Sequence, residues 1–167
     1  MKTLIIALCI ASAAAARAGE SISNPLIDYD EFQRIVEASS AEHEAHRLTE
    51  AQFITQMRQR GVIVLDARTE SRFNLRRIKG AVNLPFTEFT EQTLAAIAPR
   101  KDAKILIYCN NNFLDDPEAF ASKLPAASLN LSTYTSLKAY GYTNVFELGP
   151  LLSISDTRIP FEGSALD

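Results

Sequence analysis

The chain has 167 residues, 47% of them apolar, and its 17 basic and 20 acidic side chains give a formal charge of −3. That is enough for one domain with its own core, and too acidic for the broad basic face that nucleic-acid binding needs. The two cysteines, Cys9 and Cys109, are too few for a disulfide-stapled miniprotein.

Lys2 precedes an apolar run from Leu4 to Ala16, and Ala16-Arg17-Ala18 has the small-x-small pattern of a signal-peptidase site, with Gly19 as the new terminus. Residues 1–18 are therefore read as a signal peptide, and the protein as exported, periplasmic or secreted. The run is too short and alanine-rich to span a bilayer, and no later stretch is long enough, so no membrane association is expected after cleavage. Cys9 fits a lipoprotein anchor poorly, because Leu8 stands where such a signal wants a small residue. Removing 18 of the 167 residues leaves 149. Lys2 and Arg17 go and no acid does, so the charge falls from −3 to −5. Cys109 is then a lone thiol, which in an exported chain points to reactivity or to pairing with another molecule.

Residues 19–47 read as an arm and a helix, with Tyr29, Phe32, Ile35 and Val36 as a packing stripe and a polar continuation from Glu37 to His46. His43 and His46 stand three apart with no third ligand nearby, so no metal site is expected. Thr49 and Gln52 form a capping box, Leu48 and Phe53 a hydrophobic staple, and Gly61 ends the helix they open. Val62 to Leu65 is a continuous apolar run, hence a strand covered on both faces. It leads to Asp66-Ala67-Arg68, which is either a mutual salt bridge or a catalytic pair, with Arg72 on the following loop. Gly80 to Pro85 reads as a short edge strand. Thr87 or Thr90 caps a helix whose apolar face is Phe89, Leu94 and Ile97.

Ile105 to Tyr108 is a second doubly buried strand, and Cys109 ends it. Ligands bind at the carboxyl ends of strands in open α/β sheets, so a cysteine there is placed for chemistry. The plainer alternative is a small buried hydrophobe. Pro117 opens a brief helix from Glu118 to Leu124, stopped by Pro125, and Ser128 to Leu131 is irregular. Ser132 caps a helix carrying Tyr134, Leu137 and Tyr140, ended by Gly141. Asn144 to Leu148 is the last strand, and from Ser153 the tail is polar with few packing residues. The order predicts an α/β domain with a mainly parallel sheet and right-handed crossovers.

Asp66-Ala67-Arg68, Arg72-Phe73, Ile78-Lys79-Gly80-Ala81-Val82-Asn83-Leu84-Pro85, Ile107-Tyr108-Cys109 and Gly141-Tyr142-Thr143-Asn144-Val145-Phe146-Glu147-Leu148 occur in the order found in rhodanese-like domains, which the chain resembles from about Leu48 to Gly149. The resemblance implies a three-layer α/β/α domain over residues 48–152, with 153–167 as a C-terminal tail. It also implies sulfur transfer. Cys109 would take the outer sulfur of thiosulfate or a similar donor as a persulfide and pass it to cyanide or a thiol, without metal or cofactor. By the same resemblance Asn110, Asn111, Asn112, Phe113 and Leu114 form the substrate-binding loop, Arg72 binds the donor's anionic group, and Asp66 and Arg68 organise the site. Amides pointing into such a loop favour a thiolate and hold the charge of a transferred sulfur.

Three departures qualify this. The loop has neither the glycine nor the basic residue usual in active members, although asparagine tolerates left-handed angles. Asp115 and Asp116 would disfavour a thiolate if they faced the pocket, or they face away and cap the helix from Pro117. From Cys109 to Gly141 is 32 positions, longer than usual, so residues 117–131 are read as an insertion. It is a lid or wall narrowing the substrate range, or a surface for a protein partner. Arg77 and Lys79 replace a frequent histidine and proline and would add charge at the rim. Three functions follow: an exported sulfurtransferase; a catalytically weak module binding an anion or a protein, which the acidic loop favours; and a cysteine phosphatase. The last is disfavoured because no arginine closes the loop.

Overall fold

The computed structural model describes Ile22 and residues 24–166; the predicted signal peptide, its cleavage site and Cys9 lie outside the described residues. In chain order the elements are α1 (Tyr29–His43), β1 (Arg47–Leu48), α2 (Glu50–Met57), β2 (Ile63–Asp66), α3 (Glu70–Leu75), β3 (Arg77–Ile78), β4 (Val82–Asn83), α4 (Glu91–Ile97) and β5 (Ile105–Tyr108). They are followed by β6 (Phe113–Leu114), α5 (Leu129–Ala139), β7 (Val145–Leu148), β8 (Leu152–Ser153) and β9 (Phe161–Glu162).

Five strands form a parallel sheet in the order β1-β7-β5-β2-β4. The period-2 geometry of strands divides β5 between two apolar layers. Leu106 and Tyr108 face Phe53 and Ile54 of α2, while Ile105 and Ile107 face Leu94 of α4 and Tyr134 and Leu137 of α5. This is the expected α/β arrangement with helices on both faces. The local signals hold at the helix starts. Thr49 with Gln52 and Thr90 with Thr93 form capping boxes, and Gly61 takes φ +81° beyond α2.

Three segments differ from expectation. Residues 118–124 are not helical. The i→i+4 bond that would link Ala119 C=O to Lys123 N–H is never made, because Arg68 Nη1 takes the carbonyl at 2.8 Å and Asn111 Oδ1 takes the amide at 3.0 Å. A single turn remains, closed by Phe120 N–H on Asp116 C=O and by Ala119 N–H on Asp116 Oδ1. Second, α5 starts at Leu129 instead of after Ser132, because Asn130, Thr133, Tyr134 and Leu137 already share its buried face. Third, the tail is part of the domain. Ile159 is buried, β9 pairs antiparallel with β3, and the Phe161 ring packs against Phe113 and Phe120. Gly163, at φ +140°, lies so near α3 that a Cβ would collide with the Leu75 carbonyl.

Before β1, α1 packs on α5 through its carboxyl half, with Ser39 buried and the His43 ring edge-on to Tyr134 at 5.2 Å. The expected stripe of Tyr29, Phe32 and Val36 stays largely exposed, since only the small Ser39 admits the close approach. The end of α1 does not run into solvent as its polarity suggested. His46 stacks near Phe146 and shares a 2.9 Å hydrogen bond with the Tyr134 hydroxyl. Burial, then the nearby Glu42 carboxylate, push the Tyr134 phenol above its ordinary pKa.

Candidate functional site

Cys109 follows directly on β5 at the carboxyl end of the sheet's middle strand, where its sequence position placed it. Its backbone is extended, and a short 3-10 turn of Asn110–Asn112 follows. Asn112 builds that turn. Its Oδ1 accepts from Cys109 N–H at 2.9 Å, and its Nδ2 donates to Leu148 O at 2.7 Å and Pro150 O at 3.3 Å, tying the loop to the end of β7.

The sulfur has two polar neighbours among the described residues: Asn111 N–H at 3.4 Å and the Ser128 hydroxyl at 3.5 Å. The expected ring of amides is thus reduced to one, because the chain leaves the turn after three residues to enter β6. Phe113 is not a substrate contact. It is 1% exposed and packs with Tyr108, Phe120 and Phe161 in the core. Leu114 pairs with Ser153 on β8, away from the thiol. None of the three loop asparagines takes a positive φ; among the described non-glycine residues Asp115 alone does, at 70°. Asp115 accepts from Ser153 Oγ at 2.8 Å, and Asp116 pairs with Arg76 at 2.6 Å while capping the 117–120 turn. Both acids therefore face away from Cys109.

Asp66 and Arg68 form a sealed scaffold. They are 0% and 2% exposed, and the guanidinium grips the carboxylate through Nε and Nη2. Its remaining donors reach Ala119 O and Arg76 O, and its plane lies 4.2 Å from the Phe120 ring centroid. Burial alone would lower the pKa of Arg68, but the hydrogen bonds and charge of Asp66 outweigh it and raise it. The Tyr108 hydroxyl donates to Asp66 and accepts from Ile78 N–H at 3.1 Å. Burial, reinforced by Asp66, pushes its phenol well above the ordinary value. Of the two readings the sequence left open for this pair, the salt bridge is the one the geometry realises.

Arg72 does not meet Cys109. It donates to Pro117 O at 3.2 Å and opens into a cavity of about 350 Å³ shared with Arg68, Asn110 and Lys123. Cys109 opens into a different cavity, of about 380 Å³, shared with Asn111, Ser128 and Asn130. Residues 121–129 stand between the two, pinned by Asn111 Nδ2 to Lys123 O at 2.8 Å and by the reciprocal bond from Lys123 N–H. Arg77 is held by Glu162 at 3.0 Å and adds no charge at this rim.

The titratable groups that do line the Cys109 cavity are His43, weighed in the sequence only as a metal ligand, and Arg47 and Glu147, to which the sequence assigned no role. Arg47 on β1 is the register partner of Glu147 on β7, so parallel pairing places Arg47 Nε 3.1 Å from Glu147 Oε1. His43 Nε2 lies 3.2 Å from Glu147 Oε2, off the line of a hydrogen bond. One signal was available: Glu147 is a lone charge inside an apolar strand, and a buried carboxylate needs partners. Arg47 gave none, because a two-residue strand is too short to show a period.

The family model described as "Rhodanese-like domain" matches residues 49–149. The BH2092 protein from Bacillus halodurans, a crystal structure, superposes with a TM-score of 0.52 at 19% identity, covering 80% of this chain and 88% of its own. The rhodanese-like domain of a protein from Anabaena sp., solved by NMR in solution, gives 0.52 at 18% identity, covering 73% of this chain and 82% of its own. A thiosulfate sulfurtransferase from Pseudomonas aeruginosa gives 0.43 at 27% identity, covering 62% of this chain and 17% of its own. No curated protein matches the chain.

Proposed function

The chain belongs to the rhodanese-like domain family, and from that premise we propose that it is an exported sulfurtransferase that carries sulfane sulfur as a persulfide on Cys109. The observation that carries this reading is the placement of Cys109: a thiol at the carboxyl end of the central strand β5, opening into a cavity, with Asn111 N–H and the Ser128 hydroxyl directed at Sγ. Both groups lie within hydrogen-bond distance of the sulfur, and the thiolate is the nucleophile. In the first step the thiolate attacks the donor's outer sulfur, and the donor's S–S bond breaks with the electron pair on the leaving group. In the second step cyanide or an acceptor thiolate attacks that sulfur and Cys109 leaves as thiolate. Export is supported by the apolar run from Leu4 to Ala16 and the small residues around Arg17, and the mass of the protein recovered from an expressing cell checks it.

A second reading is a weak or inactive module that binds a protein. The separation of Arg72 from Cys109, the single amide on the sulfur and the exposed Leu124, Leu131 and Leu151 favour it. One experiment divides the two. An intact mass spectrum of the mature chain after incubation with a sulfane-sulfur donor should gain one sulfur atom, reversed by cyanide and absent in Cys109→Ser. No gain from thiosulfate or from any small hydropersulfide would overturn the sulfurtransferase in favour of the module.

A further inference from the structure

We infer that the Cys109 cavity selects a zwitterionic amino-acid thiol, its sulfur donor being the hydropersulfide of a cysteine-like amino acid, an inference that rests on reading Cys109 as a sulfur carrier. The cavity wall holds one guanidinium and one carboxylate, Arg47 and Glu147. Arg47 Nε donates to Glu147, Nη1 to Glu44 Oε2 at 3.3 Å, and Nη2 to Gly149 O at 2.9 Å. Its side chain is nevertheless 40% exposed, so part of the guanidinium faces the cavity mouth. Beside His43, which lies 3.2 Å from Glu147 Oε2, the wall thus carries one fixed charge of each sign. A dianion such as thiosulfate gains nothing from Arg47 that it does not lose to Glu147, whereas a ligand carrying both an ammonium and a carboxylate complements both.

Asn130 points the same way and is independent of the ion pair. Asn112 Oδ1 already accepts from Cys109 N–H, so the Asn130 group 3.2 Å from it must be the Nδ2 donor. That fixes the amide and leaves Asn130 Oδ1, on a residue only 6% exposed, without a protein donor. An unpaired buried acceptor is costly, and a small turn of the Asn130 side chain at the cavity wall would present it to an entering ammonium. The volume of about 380 Å³ accommodates a small amino acid.

The step balances without a further reactant. Cys109 thiolate attacks the outer sulfur of R–S–SH, the Sγ–S bond forms, and the donor's S–S bond breaks. The amino-acid thiolate leaves with the electron pair, and the transferred sulfur keeps its proton.

The test is single-turnover sulfur gain on the mature chain, followed by intact mass. The donors are thiosulfate and the hydropersulfides of cysteine, of 3-mercaptopropionate, which lacks the ammonium, and of cysteamine, which lacks the carboxylate. Each rate is divided by that donor's rate with a free thiol in solution. Cysteine hydropersulfide should exceed each one-charge analogue by about tenfold. Glu147→Gln should erase the advantage over the mercaptopropionate donor and keep that over the cysteamine donor, and Arg47→Gln the reverse. Ratios within one variant do not depend on how much of it folds. Equal normalised rates for the three hydropersulfides, or variants that lose both advantages together, would overturn the inference. Sulfur gain from thiosulfate alone would overturn it and leave the sulfur carrier standing, while no gain from any donor would overturn both.

Discussion

Two arginine–carboxylate pairs belong to the same sheet, Asp66 with Arg68 at the end of β2 and Glu147 with Arg47 across β7 and β1, and they do different work. Asp66 and Arg68 are both sealed from water, and the arginine's donors end on its partner and on two carbonyls of the surrounding chain. Glu147 is almost as deeply buried, but Arg47 is 40% exposed, and both line the cavity that holds Cys109. The same chemistry one register step apart in the sheet is scaffold in one place and open to a ligand in the other. Both guanidiniums have their donors taken; access separates the pairs, not residue type.

The contrast can be tested from its largest consequence downward. Arg68→Ala leaves Asp66 buried beside Tyr108 and should cost about 3–5 kcal/mol, read from urea unfolding. The double variant Asp66→Leu with Arg68→Met should cost markedly less, because no charge is then stranded. Equal losses would show that packing of the guanidinium on Phe120, not charge, holds this region. Arg47→Gln should cost only about 1 kcal/mol, since its side chain is partly solvated and His43 remains beside Glu147. A loss as large as that of Arg68→Ala would erase the distinction between the pairs.

At the sulfur the effects are kinetic. Ser128→Ala removes one hydrogen bond to Sγ and should slow alkylation of Cys109 about threefold at neutral pH. Arg72→Ala should change sulfur gain on Cys109 by less than about twofold, as expected of a surface substitution outside the cavity. A tenfold loss for the thiosulfate reaction would mean that residues 121–129 move aside in solution and join the two cavities.

The smallest effect lies on the tail. Hydrogen bonds from the Thr157 hydroxyl and Arg158 N–H hold the Glu50 carboxyl below its ordinary pKa. A depressed folded pKa stabilises above the unfolded value and is lost as pH falls through the folded one. Acid should therefore loosen residues 157–158, seen as faster amide exchange at Arg158, and Glu50→Gln should remove that pH dependence.

How much of this was legible depended on how local the signal was. The capping box at Thr49, the buried run of β5 and the glycine after α2 are short-range patterns, and each appears where it was read; of the two caps left open, Thr87 or Thr90, the fold uses Thr90. The helix expected over 118–124 had equally local support in Pro117, yet it lost its hydrogen-bond partners to Arg68 and Asn111, which are remote in sequence or on another loop. Phe113 shows the same limit. Its place after Cys109 suggested a loop contact, but the aromatic ring is buried among Tyr108, Phe120 and Phe161. The polar tail looked unattached because Ile159, Phe161 and Gly163 are too sparse to form a period, while their contacts with β3, α3 and the core depend on the folded surface.

The sequence by itself determined the parallel α/β domain, the end of β5 as the place of the thiol, and the absence of glycine and base from the loop that follows. Those are properties of consecutive residues, set by backbone preference and burial period. The tertiary structure alone decided which charges share a cavity with Cys109. Arg47 and Glu147 are 100 residues apart and meet because β1 and β7 pair in parallel register, while Arg72, as near to Cys109 in the chain as Glu147 is, is cut off by the segment between Ala121 and Leu129. Strand pairing and side-chain hydrogen bonds across the sheet fix such neighbourhoods, and no local pattern encodes them.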